Sequence, residues 1–145
     1  MEPGRSEPSG AGEGDTGSRP DVVSSPGAPA ADGLCFVTPT ALCLNGSRFR
    51  VEVEWQVPAQ GSSGAGIAVP LTSDTGHFWF FSANNVELVV KVVDGRGFNG
   101  HYWVFSGALS DVAYTITVTD TGTGAVRTYS NPSGRLTSLA DVSAF

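Results

Sequence analysis

The stretch Arg48-Phe49-Arg50-Val51-Glu52-Val53-Glu54-Trp55-Gln56-Val57 decides the fold. On an extended chain Phe49, Val51, Val53, Trp55 and Val57 point one way, and Arg48, Arg50, Glu52, Glu54 and Gln56 point the other. Alternation sustained this long describes a half-buried β-strand with one wet face. A helix would scatter the apolar residues around its circumference. Burying all of them contributes on the order of 10 kcal/mol gross, at roughly 2 kcal/mol each.

Further along, the pattern recurs. Val112, Tyr114, Ile116 and Val118 point inward while Thr115, Thr117 and Thr119 point out, and threonine suits the wet face of a strand. Asp120-Thr121-Gly122-Thr123-Gly124 supplies turn chemistry, so residues 125–130 return as a hairpin partner. The segment 86–93 is apolar on nearly both faces, interrupted only by Glu87 and Lys91. It reads as a central strand covered on both sides.

Two stretches also echo one another. His77-Phe78-Trp79-Phe80-Phe81-Ser82 resembles His101-Tyr102-Trp103-Val104-Phe105-Ser106, and residues 85–94 align with residues 111–120, each ending in Asp. The echo predicts two successive β-hairpins of one design, an internal duplication within a sheet system rather than a solenoid.

The strands expected are 34–37, 41–44, 48–57, 66–71, 77–82, 86–93, 101–106, 112–119 and 125–130. With no crossover helix between them, they predict an all-β, antiparallel β-sandwich of about eight or nine strands with a duplicated β-hairpin. The tail 136–145 reads as a docked loop or one helical turn. Composition changes abruptly at Leu34-Cys35-Phe36-Val37, so the domain is placed at 34–145. Residues 1–33 are acidic, rich in Gly, Ser and Pro, and free of aromatics. Such a leader buries too little apolar surface to offset its ordering entropy, and reads as a disordered linker.

The net charge is −6, Lys91 is the only lysine, and the arginines are scattered. Binding phosphates takes clustered Lys and Arg, so a nucleic-acid partner is not expected. No apolar run approaches the ~20 residues of a membrane span. Met1-Glu2-Pro3-Gly4 lacks a basic n-region and an apolar h-region, so an export signal is expected elsewhere, or upstream of this chain.

Cys35 and Cys43 are the only cysteines. Extended, the segment between them would exceed ~20 Å, so a disulfide requires the chain to reverse. Thr38-Pro39-Thr40 sits midway, and Pro39 presets the turn. The expected bridge points to an oxidising compartment, extracellular or at the cell surface. Two cysteines without nearby histidines do not complete a metal shell.

The string Leu42-Cys43-Leu44-Asn45-Gly46-Ser47-Arg48-Phe49-Arg50-Val51-Glu52-Val53-Glu54-Trp55 carries a resemblance, as do residues 77–81, 86–91 and 114–120. Residues 34–145 resemble an uncharacterised C-terminal β-sandwich module of predicted secreted proteins from environmental bacteria. The resemblance implies an accessory module beside an upstream exported domain, and no activity.

No catalytic constellation is expected. His77 and His101 are the only histidines, both open aromatic strands, and no serine sits in a Gly-x-Ser-x-Gly elbow. Glu52 and Glu54 lie ~7 Å apart on one strand face, within the spacing of glycosidase carboxylate pairs. Their neighbours Arg48 and Arg50 favour plain ion pairing instead. The segment 94–100 holds an Asp, an Asn and three glycines, which leaves a calcium loop conceivable, though it lacks spaced carboxylates. The segment 61–66 lacks the Lys-Ser/Thr of a phosphate cradle and reads as a flexible loop. Trp79 and Trp103, with His77 and His101, are the ligand-binding candidates: aromatic faces are sugar platforms if exposed and core if buried. No cofactor is implied. The expected function is a non-enzymatic accessory or structural module of a secreted or cell-surface protein, partnered by an upstream domain. The alternative is a carbohydrate-binding module whose exposed aromatics take a glycan.

Overall fold

The computed structural model describes residues 34–145, and the predicted leader at 1–33 lies outside them. The described residues form two antiparallel sheets of five strands each, packed face to face. The strands are β1 (Ala41–Leu44), β2 (Phe49–Val57), β3 (Ser62–Ala65), β4 (Ile67–Pro70), β5 (Thr75–Trp79), β6 (Leu88–Gly95), β7 (His101–Ala108), β8 (Ala113–Asp120), β9 (Val126–Asn131) and β10 (Ser138–Asp141). A 3-10 turn, Pro58–Gln60, links β2 to β3, and the one-turn helix α1, Arg96–Asn99, links β6 to β7. The first sheet runs β1-β2-β8-β9 with β3 on the far half of β2; the second runs β10-β7-β6-β5-β4.

The β2 alternation holds in the structure. Phe49, Val51 and Val53 are buried while Glu52 and Glu54 are exposed. Val51 sits opposite Val118 and Val53 opposite Ile116, so β2 and β8 present one continuous apolar surface. Across the interior they meet Phe78, Leu88, Val90, Val92, Tyr102 and Val104 of the second sheet. The expected disulfide joins Cys35 to Cys43, with Cα atoms 5.7 Å apart. The chain reverses where expected: Thr38 and Ala41 exchange backbone hydrogen bonds across Pro39 and Thr40.

Several expectations are corrected. Residues 34–37 form no strand, and the disulfide at Cys35 anchors them instead. The segment 61–66 is not a flexible loop, since β3 lies within it and pairs with residues 54–57. The Trp55 indole packs on Gly64, where a Cβ would fall 2.7 Å from Cζ2. The tail is neither loop nor helical turn alone: β10 pairs with β7, Ala144 is buried, and the Phe145 ring lies 5.1 Å from that of Phe49. Tyr129 Oη donates to Asp141 Oδ2 at 2.7 Å, and burial together with that carboxylate raises the phenol's pKa.

The second copy of the duplicated segment is not a hairpin. β5 and β6 do pair within the second sheet, but β7 stays there while β8 crosses to the first sheet beside β2. Both edges of β7 are already occupied, by β6 and β10. β6 is the middle strand of its sheet as expected, yet it is not covered on both sides. Leu88, Val90 and Val92 are fully buried, whereas Val89 and Val93 are half-exposed and Lys91 is exposed. Thr119, expected on the wet face, is buried between Arg50 and Val126 of the flanking strands. Arg48 pairs not with Glu52 or Glu54 but with Asp120 at the end of β8, through Nε to Oδ1 at 2.7 Å and Nη2 to Oδ2 at 3.0 Å.

Candidate functional site

Residues opposite one another in register share a face of a sheet, so the ladders assign the two outer surfaces. The first sheet turns outward Arg50, Glu52, Glu54 and Gln56 from β2, with Thr115 and Thr117 from β8 and Thr128 and Ser130 from β9. That is a polar surface. The second sheet turns outward Ile67, Val69, His77, Trp79, Val89, Val93, Trp103, Phe105 and Ala140, interspersed with Thr75, Gly107 and Ser138 and with Lys91 as the one charge. Most of these are half-buried. An aromatic, apolar sheet face that no other part of the described chain covers is the most prominent candidate surface.

All four predicted ligand residues lie on this face, but in two groups. His77 sits opposite Val89, and Trp79 follows it towards one end of the sheet. Trp103 sits opposite Val93 and His101 opposite Gly95, towards the other end. Trp79 and Trp103 are therefore some six residues apart along β6, roughly 20 Å at about 3.3 Å per residue. They do not form one platform.

The Trp103 end is the built one. Its indole lies flat on Gly95: a Cβ there would fall 2.0 Å from Cε2. Trp103 Nε1 donates to Asn99 Oδ1 at 2.8 Å, and His101 N donates to the same oxygen at 3.2 Å. Asn99 Nδ2 in turn donates to Val142 O at 2.7 Å, tying α1 to the tail. The Phe98 ring, 85% exposed, is 5.6 Å from the indole, and Phe105 meets it edge-on at 6.3 Å. Lys91 Nζ stands 5.2 Å over Phe105. Sequence reasoning picked out Trp103 but missed Gly95, Phe98 and Asn99. The available signal was Phe98 itself, a large aromatic standing alone in a polar turn.

The histidines do not converge. His101 Nδ1 lies 3.1 Å from the backbone oxygen of Phe145, and the buried Nδ1 of His77 has no hydrogen-bond partner among the described residues. The segment 94–100, read as a conceivable calcium loop, is the end of β6, helix α1 and its cap Gly100, and Asp94 is engaged by Arg96 through Nε at 2.9 Å and Nη2 at 2.8 Å. These bonds, with the Arg96 backbone N–H, lower the Asp94 carboxyl to about 2. Among the described residues no group of three or more His, Cys, Asp or Glu is placed to hold a metal ion, and no helix is long and apolar enough to cross a membrane. Comparison with known protein families, curated proteins and solved structures finds no match to this chain.

Proposed function

We propose that this chain is a non-enzymatic accessory module of a secreted or cell-surface protein, working through the outer face of its second sheet. The observation that carries the reading is the asymmetry of the two outer faces. One is surfaced for water; the other keeps aromatics and branched aliphatics half-exposed on a rigid ladder. A face retained at that cost in solubility suits attachment. The Cys35–Cys43 bridge closing a short loop is consistent with an oxidising compartment, and the resemblance of residues 34–145 to modules of secreted proteins supports the same location.

A second reading, that the attached partner is a neutral glycan, is favoured by the Trp103 end. A sugar ring stacks on a flat aromatic face, and here Gly95 and Asn99 hold one flat while Phe98 widens it. The purified protein should be retained on insoluble cellulose or chitin, and soluble oligomers of the same sugars should alter its tryptophan fluorescence. Trp103→Ala and Gly95→Ala, whose added methyl displaces the indole, should lose retention while Trp79→Ala keeps it. Equal retention by all three variants would remove the Trp103 patch as the glycan site. Release of reducing ends from either polymer, abolished in His101→Ala, would overturn the non-enzymatic reading.

A further inference from the structure

At the end of the sandwich where the tail docks, the two sheets leave a cleft of about 320 Å³ whose walls include Arg48, Arg96, Tyr102, Asp120, Arg127 and Phe145. The described residues hold six Lys and Arg: Arg48, Arg50, Lys91, Arg96, Arg127 and Arg135. Half of them line this one cleft, in a chain whose net charge is −6. Such convergence runs against the overall charge and calls for a ligand.

The three guanidiniums differ in what they have left to offer. Arg48 grips Asp120 with two nitrogens and donates from Nη1 to Tyr102 Oη at 3.2 Å, so it builds the wall. Arg96 is held by Asp94 and lies with Cζ 4.6 Å from the centre of the Tyr102 ring. Arg127 has no carboxylate partner among the described residues. It lies 5.1 Å over the Phe145 ring and gives only Nη1 to the backbone oxygen of Val126. Arg48 and Arg96 are thus each paired with an aspartate, Asp120 and Asp94, and Arg127 is the guanidinium of the cleft that no Asp or Glu side chain of the described residues engages. Stacking on aromatic rings leaves the donor edges of a guanidinium free, in the fork that matches an oxyanion. Tyr102 Oη accepts from Arg48, which leaves its own hydrogen to donate.

We propose that this cleft binds one oxyanion group, a carboxylate, phosphate or sulfate, with Arg127 as its principal ligand, Arg96 and Tyr102 beside it, and Arg48–Asp120 as the positioning pair. The inference goes beyond the sheet-face reading and does not rest on it. The shared chemistry has two sources, a free inorganic anion or an acidic sugar, since the volume lies at the small end of ligand pockets.

Isothermal titration at constant ionic strength tests it, with sodium phosphate, sodium sulfate and glucuronate as probes and glucose as the neutral control. At least one anion should bind saturably and glucose should not; saturation by phosphate or sulfate identifies a free anion, and saturation by glucuronate alone an acidic sugar. Arg127→Gln should weaken binding about ten-fold, the loss of a charge-assisted bond, whereas Arg135→Gln, outside the cleft, should not. Both positions are exposed, so both variants should melt as the parent does. Absence of saturable binding by all three anions, or equal loss in the two variants, would overturn the proposal.

Discussion

β6 and β8 are related strands with opposite surroundings. Aligned residue for residue, Leu88, Val90 and Val92 of the one match Tyr114, Ile116 and Val118 of the other, and all six are buried. Their outward residues diverge: Val89 and Lys91 against Thr115 and Thr117, while Val93 is half-exposed and its counterpart Thr119 is buried. Each copy ends in an aspartate, and these diverge too. Asp94 is exposed and pairs with Arg96 two residues away, while Asp120 is buried and pairs with Arg48 across the first sheet. The inward set decides that a strand joins the sandwich. The outward set and the terminal ion pair distinguish what each sheet shows to solvent and how it is locked.

The largest effects should be shared by both copies. Val90→Asp and Ile116→Asp each bury a carboxylate without a partner, a cost of several kcal/mol against a total stability of about 5–15 kcal/mol. Both should abolish cooperative thermal unfolding. A parent-like melt from either would break the equivalence of the inward sets.

The aspartates should separate the copies. Asp120→Ala strands Arg48 and the Gly122 N–H, and should cost about 1–3 kcal/mol in denaturant unfolding. Asp94→Ala should leave the midpoint where it was, because exposed local pairs contribute little. Acid sharpens the contrast. Burial works to raise the Asp120 carboxyl, but Arg48, the Gly122 N–H and Thr123 outweigh it and hold it below 3.8. A carboxyl depressed on folding stabilises above its unfolded pKa and ceases to as pH falls through the folded one. The gap between parent and Asp120→Ala should therefore be full at neutral pH and shrink below pH 3.8. A gap that persists unchanged in acid would mean that Asp120 acts through packing rather than charge.

The smallest effects concern the outward residues. Val93→Thr and Thr117→Val should each change stability by less than about 0.5 kcal/mol. Binding of an anilinonaphthalene dye should fall in the first and rise in the second. No change in either would mean that the faces differ in name only.

What was legible in the sequence was whatever side-chain alternation or local chain reversal encodes. The β2 and β8 faces, the Cys35–Cys43 bridge and the two-sheet architecture are all of that kind. Alternation says which face is buried but not which strand lies alongside, so the crossing of β8 to the first sheet was hidden. For the same reason Trp79 and Trp103, alike in sequence, could not be seen to lie at opposite ends of one face. β3, Ser-Ser-Gly-Ala, has no strand propensity of its own and exists because a 3-10 turn lays it along β2. The Arg48–Asp120 pair joins residues 72 apart, and the arginine cleft is assembled from four separate segments. Such sites follow from register, which no single strand carries.

The docking of the tail has a consequence for biogenesis. β10, Ala144 and Phe145 complete an interior begun by Phe49, and they are the last residues described. A chain made from its N-terminus therefore cannot seal that interior until Phe145 has cleared the ribosomal tunnel. Until then Phe49 and Tyr102 lack their lid, and the nascent polypeptide offers an oily seam to whatever chaperone or translocation machinery is near.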